Sequence, residues 1–528
     1  MQVYTTLAEL VSDVAQRNGA KPALIFADTP ISYADLNTRI ERAANGLAAS
    51  GVAKGDRVAL LVPNIPEFVV AYYAIVRCGA IVVPINVLYK AEEITYVLQD
   101  SEAKAFILFA DFAPQGLAGA EKAPSVSKVI VVGEVAPKGT TSWEALMEAP
   151  APERLPVKVT PDDIATICYT SGTTGRSKGA MLTHLNFIAN CEQLDRMERG
   201  YAKESDVLLL VLPLFHIYAM NFAMNAYLRA GATVVLVRRF DALLVLEQIQ
   251  KHRCTMFPGA PPMYITWVNT PTLGDYDLSS MRFAFSGAAP LPIQVLDRFH
   301  TVTGVEIVEG YGLTETSPVT HLNCAGAVSK PGTVGPPIPG VEARLVDDED
   351  RDVAPGARGE IICRGENITI GYWRNPAATA EALRDGWFHT GDIATVDEDG
   401  YYRIVDRKKD MINAGGFKVW PREIEEVLFR HPAVREAAIV AMPDTYWGER
   451  PMAYIALKEG QAATEEALIA YCKEHLATFK VPCLIRFRDE FPKLPTGKVL
   501  RRVLREEARQ LTPASPKRIK GGMKCVKL

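Results

Sequence analysis

Residues 169–180 bring hydroxyl groups, glycines and a lysine together in one short stretch, Tyr-Thr-Ser-Gly-Thr-Thr-Gly-Arg-Ser-Lys-Gly-Ala. The small residues at its centre are Ser171, Gly172, Thr173, Thr174 and Gly175, and Lys178 follows them. Glycine lets backbone N–H groups approach a polyanion, hydroxyl groups add donors, and lysine supplies a compact positive charge. A Walker A loop would need lysine directly after the second glycine, which is not the case here. The stretch therefore predicts a phosphate-binding loop of another kind, unless it is a Gly/Ser/Thr-rich linker.

Three later segments carry distinctive side chains directly after strand-like runs. They are residues 213–218 (Pro-Leu-Phe-His-Ile-Tyr), 286–290 (Ser-Gly-Ala-Ala-Pro) and 310–316 (Gly-Tyr-Gly-Leu-Thr-Glu-Thr). In open α/β sheets, ligands bind outside the carboxyl ends of the strands. We therefore expect these segments and the loop at 169–180 to line one crevice.

The elements that must position these segments alternate between short β-branched runs and helical patterns, first from residue 20 to about 160 and again from 207 to 299. This alternation is typical of doubly wound α/β sheets. The apolar run at 164–168 predicts a strand that leads into the phosphate loop, and the segment after Met181 is predicted to be helical. Pro/Gly-rich turns and short strand patterns after residue 332 predict a β-rich subdomain.

The chain is too long for a single hydrophobic core, so we expect two or more domains. A charged run at 406–410 marks the predicted boundary. It separates a large N-terminal domain (residues 1–405) from a small α+β domain (406–512), which a basic, disordered tail (513–528) follows.

Composition narrows the function classes. The 528 residues carry a net charge of −4, which argues against a general nucleic-acid binder because such proteins neutralise phosphates with a basic surface. The nine cysteines lack zinc-binding or C-x-x-C spacing, so reduced thiols in a cytoplasmic protein are the simplest interpretation. No secretory signal or transmembrane segment is predicted, and the basic tail indicates at most a peripheral contact with a membrane surface. A homodimer is compatible with the sequence.

Together, the motifs resemble the adenylate-forming superfamily of acyl-CoA synthetases, luciferases and peptide-synthetase adenylation domains. The resemblance extends over nearly the whole chain and depends on several motifs in the family's order. Ser177 departs from it, because the family usually has proline there. The resemblance implies a mobile C-terminal domain and a two-step reaction. A carboxylate attacks the α-phosphate of ATP, bound with Mg²⁺, to give an acyl-adenylate and pyrophosphate, and the thiol of coenzyme A then displaces AMP.

The resemblance also implies roles for individual residues. Thr170, Lys178 and the small residues between them are expected to hold the phosphates of ATP. Glu315 is expected to bind Mg²⁺, whose preference for carboxylate oxygen agrees with that role, and Thr314 to add a donor. His216 is expected to gate the entry of the carboxylate. The residues expected around adenine and the acyl group are Ala288, Ala289, Gly310, Tyr311 and Gly312, with the tyrosine stacked on the base.

In the last third of the chain, the resemblance assigns Asp392 and Arg407 to the ribose, and two adjacent ribose hydroxyls suit a bidentate carboxylate. Lys498, in Pro-Thr-Gly-Lys, is expected to join the carboxylate to the α-phosphate during adenylation. Without the resemblance, these three residues would be ordinary turn and surface charges.

The second step needs a different face of the small domain. The resemblance makes Lys409 the hinge about which this domain rotates. Gly415 and Gly416 then face the pantetheine arm of coenzyme A, because two adjacent glycines leave room beside the backbone.

The sequence favours a medium- or long-chain fatty acid as the substrate, because residues 406–421 and 371–373 are most similar to that branch. An aryl acid stays open, since Tyr218 and the small residues of the crevice could equally surround a planar ring. Further alternatives are an enzyme that loads a carrier protein, for which no attached carrier domain is expected, a luciferase-like oxygenase, and a non-catalytic nucleotide-binding regulator. The presence of Lys498 and Glu315 argues against the regulator.

Overall fold

In the computed structural model, the described residues are 5–150, 157–170, 177–197, 200–324, 328–494 and 497–511. This described part forms two compact units. The first runs to residue 404, and the second begins at residue 405 and also takes in residues 391–393. The predicted tail at 513–528 lies outside the described residues.

Short runs rich in Val, Ile and Leu form the strands of the first unit, as expected for strands covered on both faces. The described strands are β1 (Pro22–Phe26), β2 (Thr29–Ser32), β3 (Arg57–Leu61), β4 (Ile81–Pro84), β5 (Ala105–Phe109), β6 (Lys128–Val132), β7 (Thr141–Ser142), β8 (Ile164–Thr170), β9 (Lys178–Thr183), β10 (Val207–Leu210), β11 (Thr233–Leu236), β12 (Met256–Gly259), β13 (Phe283–Ser286), β14 (Ile307–Gly312), β15 (Val319–Leu322), β16 (Glu342–Val346), β17 (Gly359–Arg364), β18 (Leu383–Arg384), β19 (Trp387–Val396) and β20 (Tyr402–Arg407).

These strands build two large sheets with parallel inner pairs. Within the described residues, one sheet has the order β15-β14-β13-β12-β10-β11-β1-β2 and the other has the order β7-β6-β5-β3-β4-β8-β9. The edge pairs β1–β2, β14–β15 and β8–β9 are antiparallel. The predicted doubly wound α/β architecture is confirmed.

Helices connect the strands, and their ends follow local sequence signals. The Ser32 hydroxyl, for example, accepts a hydrogen bond from the Asp35 N–H at 3.1 Å, which caps the helix that begins at Tyr33. The described helices of this unit are α1 (Leu7–Asn18), α2 (Tyr33–Ala49), α3 (Pro66–Arg77), α4 (Ala91–Asp100), α5 (Ala113–Glu121), α6 (Trp143–Met147), α7 (His184–Asp195), α8 (Ala226–Arg229), α9 (Ala242–His252), α10 (Pro261–Val268), α11 (Ile293–Thr303) and α12 (Pro376–Ala382). A π-helix spans Tyr218–Asn225, and a 3₁₀ turn spans Thr314–Thr316.

One local prediction is wrong. The segment after Met181 does not turn helical at once, because β9 continues to Thr183 and pairs antiparallel with β8. The phosphate loop therefore joins the two strands of a hairpin, and α7 begins only at His184. Thr183 ends the strand by capping this helix: its hydroxyl accepts from the Asn186 N–H at 3.2 Å.

Shorter strands complete both units. β16, β17, β19 and β18 form a small sheet in that order, with β20 beside β19, and this confirms the predicted β-rich subdomain. The second unit contains β21 (Ile412–Ala414), β22 (Phe417–Val419), β23 (Val434–Asp444), β24 (Gly448–Leu457), β25 (Ile485–Phe487), α13 (Pro421–Phe429), α14 (Glu465–His475) and α15 (Arg501–Gln510). Its sheet order is β22-β21-β24-β23, with β25 beside β24. None of the helices in the described ranges is both long and apolar enough to cross a membrane.

Candidate active site

Glu315 is a buried carboxylate at the end of the first unit's eight-stranded sheet. It lies in the 3₁₀ turn that follows β14, beside the half-buried Thr314, and is 7% exposed. Its Oε1 accepts a hydrogen bond from the Tyr372 hydroxyl at 2.9 Å and a long one from Thr170 Oγ1 at 3.5 Å. Thr170 is the last residue of β8, so the carboxylate lies directly beside the strand that enters the phosphate loop.

Tyr372 is a residue of this site to which the sequence analysis gave no role. Backbone pairing holds it there: Tyr372 forms an antiparallel bridge with Ala180, and the Trp373 N–H donates to the Gly179 carbonyl at 2.7 Å. Lys178 Nζ lies 5.3 Å from the centre of the Tyr372 ring, within the range of a cation–π contact. In the sequence, the signal for Tyr372 is the Gly-Tyr-Trp segment at 371–373, which resembles the fatty-acid branch of the superfamily.

Burial and the Glu315 carboxylate raise the pKa of Tyr372 well above its usual value. The phenol therefore stays protonated, and its O–H donates a hydrogen bond to Glu315. Tyr372 thus orients the carboxylate on one side and contacts the Lys178 ammonium on the other.

The stems of the phosphate loop are anchored by helix α4 and its end. The Tyr169 hydroxyl donates to Asp100 Oδ2 at 2.6 Å, and the Tyr96 hydroxyl donates to the Ser177 carbonyl at 2.7 Å. The two tyrosine rings meet edge to face, with centroids 6.2 Å apart. The predicted phosphate-binding residues Ser171, Gly172, Thr173, Thr174 and Gly175 lie outside the described residues.

The segment with His216 and the segment with Ala288 meet through Tyr218. His216 Nδ1 accepts from the Tyr218 N–H at 3.2 Å, and the Tyr218 ring lies against Gly287, where an added Cβ would be 3.3 Å from the ring. Ala288 is exposed with a φ of +69°, and Ala289 is half-buried. The first segment follows β10 and the second follows β13, and β12 is the one strand between them in the sheet, so the two loops lie side by side.

The glycines of the 310–312 segment serve the packing of the loop itself. A Cβ on Gly312 would lie 1.7 Å from the Pro318 carbonyl oxygen, and one on Gly310 would lie 2.8 Å from a Leu322 methyl. Tyr311 between them is half-buried, with its ring centroid 5.7 Å from that of His321. Complete burial lowers the pKa of His321 to about 3, so this ring is neutral.

Asp392 of β19 and Arg407 of β20 lie in the parts of these strands that group with the second unit, and they form an ion pair. Arg407 Nε lies 3.1 Å from Asp392 Oδ1, and Asp392 is 4% exposed. A buried carboxylate and a half-buried guanidinium in one pair form a donor and acceptor set suited to sugar hydroxyls.

Lys498 lies in a tight turn of the second unit. The Gly497 N–H donates to the Leu494 carbonyl at 2.7 Å, and the Leu494 N–H donates to the Lys498 carbonyl at 2.8 Å. Burial lowers the pKa of Lys498 to about 7, and the positive charges of Arg407 and Arg501 add to this effect.

An ion-pair network joins residues 406–410, which include the predicted hinge Lys409, to helices α13 and α15. Arg501 Nη2 lies 2.6 Å from Glu425 Oε2, and its Nη1 lies 3.2 Å from Asp406 Oδ1. Arg505 pairs with Asp410. Asp406 and Glu425 are 7% and 8% exposed, and buried carboxylates of this kind require such partners.

Gly415 and Gly416 form the turn between β21 and β22, with φ values of +61° and +93°. The Gly415 N–H donates to the Trp447 carbonyl at 2.7 Å, and a Cβ on Gly415 would lie 2.5 Å from the Trp447 ring. Nothing lies within 4 Å of a Cβ built on Gly416. Lys409 is an exposed residue of the 3₁₀ turn Lys408–Asp410.

The donor set suits Mg²⁺ that is shared with phosphate. Among the described residues, no group of three His, Cys, Asp or Glu side chains could hold a metal by itself. Mg²⁺ usually takes one or two protein carboxylates together with phosphate oxygens and waters. Glu315 supplies one such carboxylate, and no described residue donates a hydrogen bond to its Oε2.

Comparison with known proteins places this geometry in a family. The AMP-binding enzyme family matches residues 11–373, and the C-terminal domain of AMP-binding enzymes matches residues 423–498. A long-chain-fatty-acid–CoA ligase of Bacillus subtilis is 38% identical over an alignment of 530 positions, which covers 95% of this chain and 94% of the relative. A feruloyl-CoA synthase of an Amycolatopsis species is 38% identical over 480 residues, which are 91% and 94% of the two chains.

Solved structures agree with these relatives. ATP-bound MatB of Rhodopseudomonas palustris superposes with a TM-score of 0.89 at 34% identity, over 96% of this chain and 99% of that one. The anthranilate CoA ligase AuaEII with anthranoyl-AMP superposes with a TM-score of 0.88 at 30% identity, over 96% and 98%. With a family match over more than half of its length and relatives aligned along nearly all of it, the chain belongs to the AMP-binding enzyme family and thus to the adenylate-forming superfamily that its motifs resemble.

Proposed function

We propose that this protein is an AMP-forming acyl-CoA ligase that converts a medium- or long-chain fatty acid to its coenzyme A thioester. The observation that carries the proposal is the buried Glu315 carboxylate, held by Tyr372 at the base of a Gly/Ser/Thr-rich hairpin loop. The relatives named as long-chain-fatty-acid–CoA ligases support the same reading.

In adenylation, two anions must meet, so cations and aligned donors lower the barrier most. Lys178 and Thr170, with the loop between them, hold the β- and γ-phosphates so that the α-phosphate faces the carboxylate. Glu315 would hold Mg²⁺, which would neutralise part of the phosphate charge, and Thr314 adds a hydroxyl donor beside it. His216 controls the approach of the carboxylate.

Residues of the second unit complete adenylation in this proposal. Asp392 accepts from the ribose hydroxyls, and Arg407 fixes the aspartate by the 3.1 Å ion pair. Lys498 in its ammonium form bridges the attacking carboxylate and the α-phosphate. The second unit must therefore close over the nucleotide for the first step.

Thioester formation uses another face of the same unit. Rotation about Lys409 withdraws Lys498 and brings in the turn at Gly415 and Gly416. Because the space beside Gly416 is open, the pantetheine arm can slide past the backbone there.

An aryl acid is the second candidate substrate. Tyr218 supports it, because its ring forms a wall against Gly287, and a flat wall suits a planar acid. Relatives named as feruloyl-CoA synthase, and solved structures of anthranilate and benzoate CoA ligases, belong to proteins that act on such acids.

Pyrophosphate release across a panel of carboxylates, with and without coenzyme A, tests the proposal. Fatty acids of increasing length are compared with benzoate, ferulate and malonate, and the acyl-CoA product is quantified by mass spectrometry. We expect coenzyme A-dependent turnover with a fatty acid. Pyrophosphate release that stops at the acyl-adenylate in the presence of coenzyme A would instead indicate another acceptor, such as a carrier protein.

A further inference from the structure

The loop that carries Glu315 is held by hydrogen bonds from buried groups to the backbone carbonyls of residues 315, 316, 317 and 319. Asn367 Nδ2 donates to the Thr316 carbonyl at 2.8 Å, and Asn190 Nδ2 donates to the Val319 carbonyl at 2.8 Å. The backbone N–H of Thr369 donates to the Glu315 carbonyl at 2.7 Å. The position of this loop is therefore set from inside the protein.

A further hydrogen bond to this loop comes from the π-helix at Tyr218–Asn225. Asn221 Nδ2 donates to the Ser317 carbonyl at 2.6 Å and to the Phe187 carbonyl at 3.1 Å. Ser317 has a φ of +65°, a conformation that non-glycine residues adopt only when their surroundings hold them in it. Asn221 is fully buried and contacts the loop at that residue.

Neighbouring groups fix the orientation of the Asn221 amide. Its Oδ1 accepts from Asn225 Nδ2 at 3.1 Å and from the Cys191 thiol at 3.5 Å. Asn225 is in turn held by Tyr73, whose hydroxyl donates to Asn225 Oδ1 at 2.7 Å. Since donors surround one end of the amide and carbonyls the other, a flipped amide would leave all of them unsatisfied.

The same helix is tied to the segment with His216. The Met220 N–H donates to the His216 carbonyl at 2.9 Å, and the π-helix begins two residues after His216. π-helices are rare in proteins and frequently occur at functional sites. In this protein, the π-helix directs the Asn221 side chain at Ser317. The helix itself follows His216, the residue proposed to gate the carboxylate.

We infer that Asn221 is a positioning residue for adenylation. It fixes the position of the Glu315 carboxylate relative to residues 213–218, the segment that contains His216. The inference rests on the proposed role of Glu315 in holding Mg²⁺. Asn221 acts through the Ser317 carbonyl and contacts no reacting group itself.

Asn221→Ala tests this in the full-length protein. Pyrophosphate release is measured against Mg²⁺ concentration, and conversion of supplied acyl-adenylate to thioester is measured separately. We expect the kcat of adenylation to fall about tenfold, the effect of one ordinary hydrogen bond on a rate. We also expect a higher Mg²⁺ concentration at half-maximal rate, with the KM for the carboxylate and the thioester step within about twofold of wild type.

Tyr33→Phe is the matched control for lost stability. It removes a buried hydrogen bond from the Tyr33 hydroxyl to the Ala232 carbonyl at 2.6 Å, away from the Glu315 loop. It should leave the Mg²⁺ dependence unchanged. Asn221→Ser, whose shorter side chain cannot reach both carbonyls, is the second variant should the alanine protein fold poorly. It should also slow adenylation and raise the Mg²⁺ requirement without affecting the thioester step, but by a smaller factor.

Two results separate the inference from the proposed function. If Glu315→Gln adenylates with normal Mg²⁺ dependence, the role of Glu315 fails and the inference with it. If Glu315→Gln is deficient but the Asn221 variants lower both half-reactions equally with an unchanged Mg²⁺ requirement, the inference alone is overturned. In the Glu315→Gln background, Asn221→Ala should have little further effect on the Mg²⁺ dependence, because coupled residues do not act additively.

Discussion

Adenylation by this enzyme should depend on pH through Lys498. The pKa of this lysine is about 7, lowered by burial and by the charges of Arg407 and Arg501. The proposed bridge between the carboxylate and the α-phosphate needs the ammonium form. The rate should therefore be highest below pH 7 and fall as the pH rises through it.

The size of the effect follows from the protonated fraction. With a pKa of about 7, roughly nine-tenths of Lys498 is protonated at pH 6 and roughly one-tenth at pH 8, so kcat/KM for adenylation should fall about tenfold between them. The value of kcat/KM is the right observable, because it reports pKa values of the free enzyme. Pyrophosphate release from ATP and a fixed fatty acid measures it, with the pH dependence of substrate ionisation subtracted.

Lys498→Arg and Lys498→Ala are the matched variants. Arginine keeps its charge up to about pH 12, so the arginine variant should lose the fall above pH 7 whatever its absolute rate. The alanine variant should lose adenylation while it retains much of the conversion of supplied acyl-adenylate to thioester. A wild-type profile that stays flat from pH 6 to 8, or equal loss of both half-reactions in the alanine variant, would refute the role of the Lys498 ammonium.

Four further variants test other parts of the proposal. Glu315→Gln keeps the shape of the side chain but loses its charge, so adenylation should fall about 100-fold; pyrophosphate release close to wild type would remove Glu315 from the metal site. Gly415→Ala would place a Cβ 2.5 Å from the Trp447 ring at a φ of +61°, so thioester formation from supplied acyl-adenylate should fall about tenfold while adenylation persists, and equal losses would contradict this. Lys409→Pro should slow the thioester step more than adenylation because proline fixes φ, and unchanged stopped-flow kinetics of that step would exclude Lys409 as the hinge. Ser177→Pro should tighten ATP binding about two- to fivefold by restricting the loop before binding, which calorimetry would disprove if both proteins gave the same Kd.

Local sequence patterns predicted the elements well where the pattern itself determines them. The apolar run at 164–168 lies within β8, and the short strand patterns after residue 332 form the strands of the β-rich subdomain. Both depend on side chains within a few residues of each other, which the sequence displays directly. The family of the chain was likewise predicted correctly, because several short motifs occur in one order.

Contacts between distant segments could not be predicted in the same way. Tyr372 reaches Glu315 because its segment pairs with β9, which is almost 200 residues earlier, and no periodicity reveals that pairing. The π-helix at Tyr218–Asn225 is buried throughout, so its polar and apolar residues show no amphipathic pattern. For Gly312, the sequence analysis expected room for a ligand, whereas the nearest atom to a Cβ is the Pro318 carbonyl oxygen of the same loop.

The ion-pair network around Arg501 determines where the second unit can be cut from the chain. A fragment that starts at residue 423, where the C-terminal family match begins, would lack Asp406 and Asp410. Arg501 would then lose its pairing with Asp406, and Arg505 its pairing with Asp410. Even a cut at 405 would separate Arg407 from Asp392, since residues 391–393 group with this unit. The unit is continuous in space but not in sequence, so swapping it between relatives requires a joint placed before Gly391.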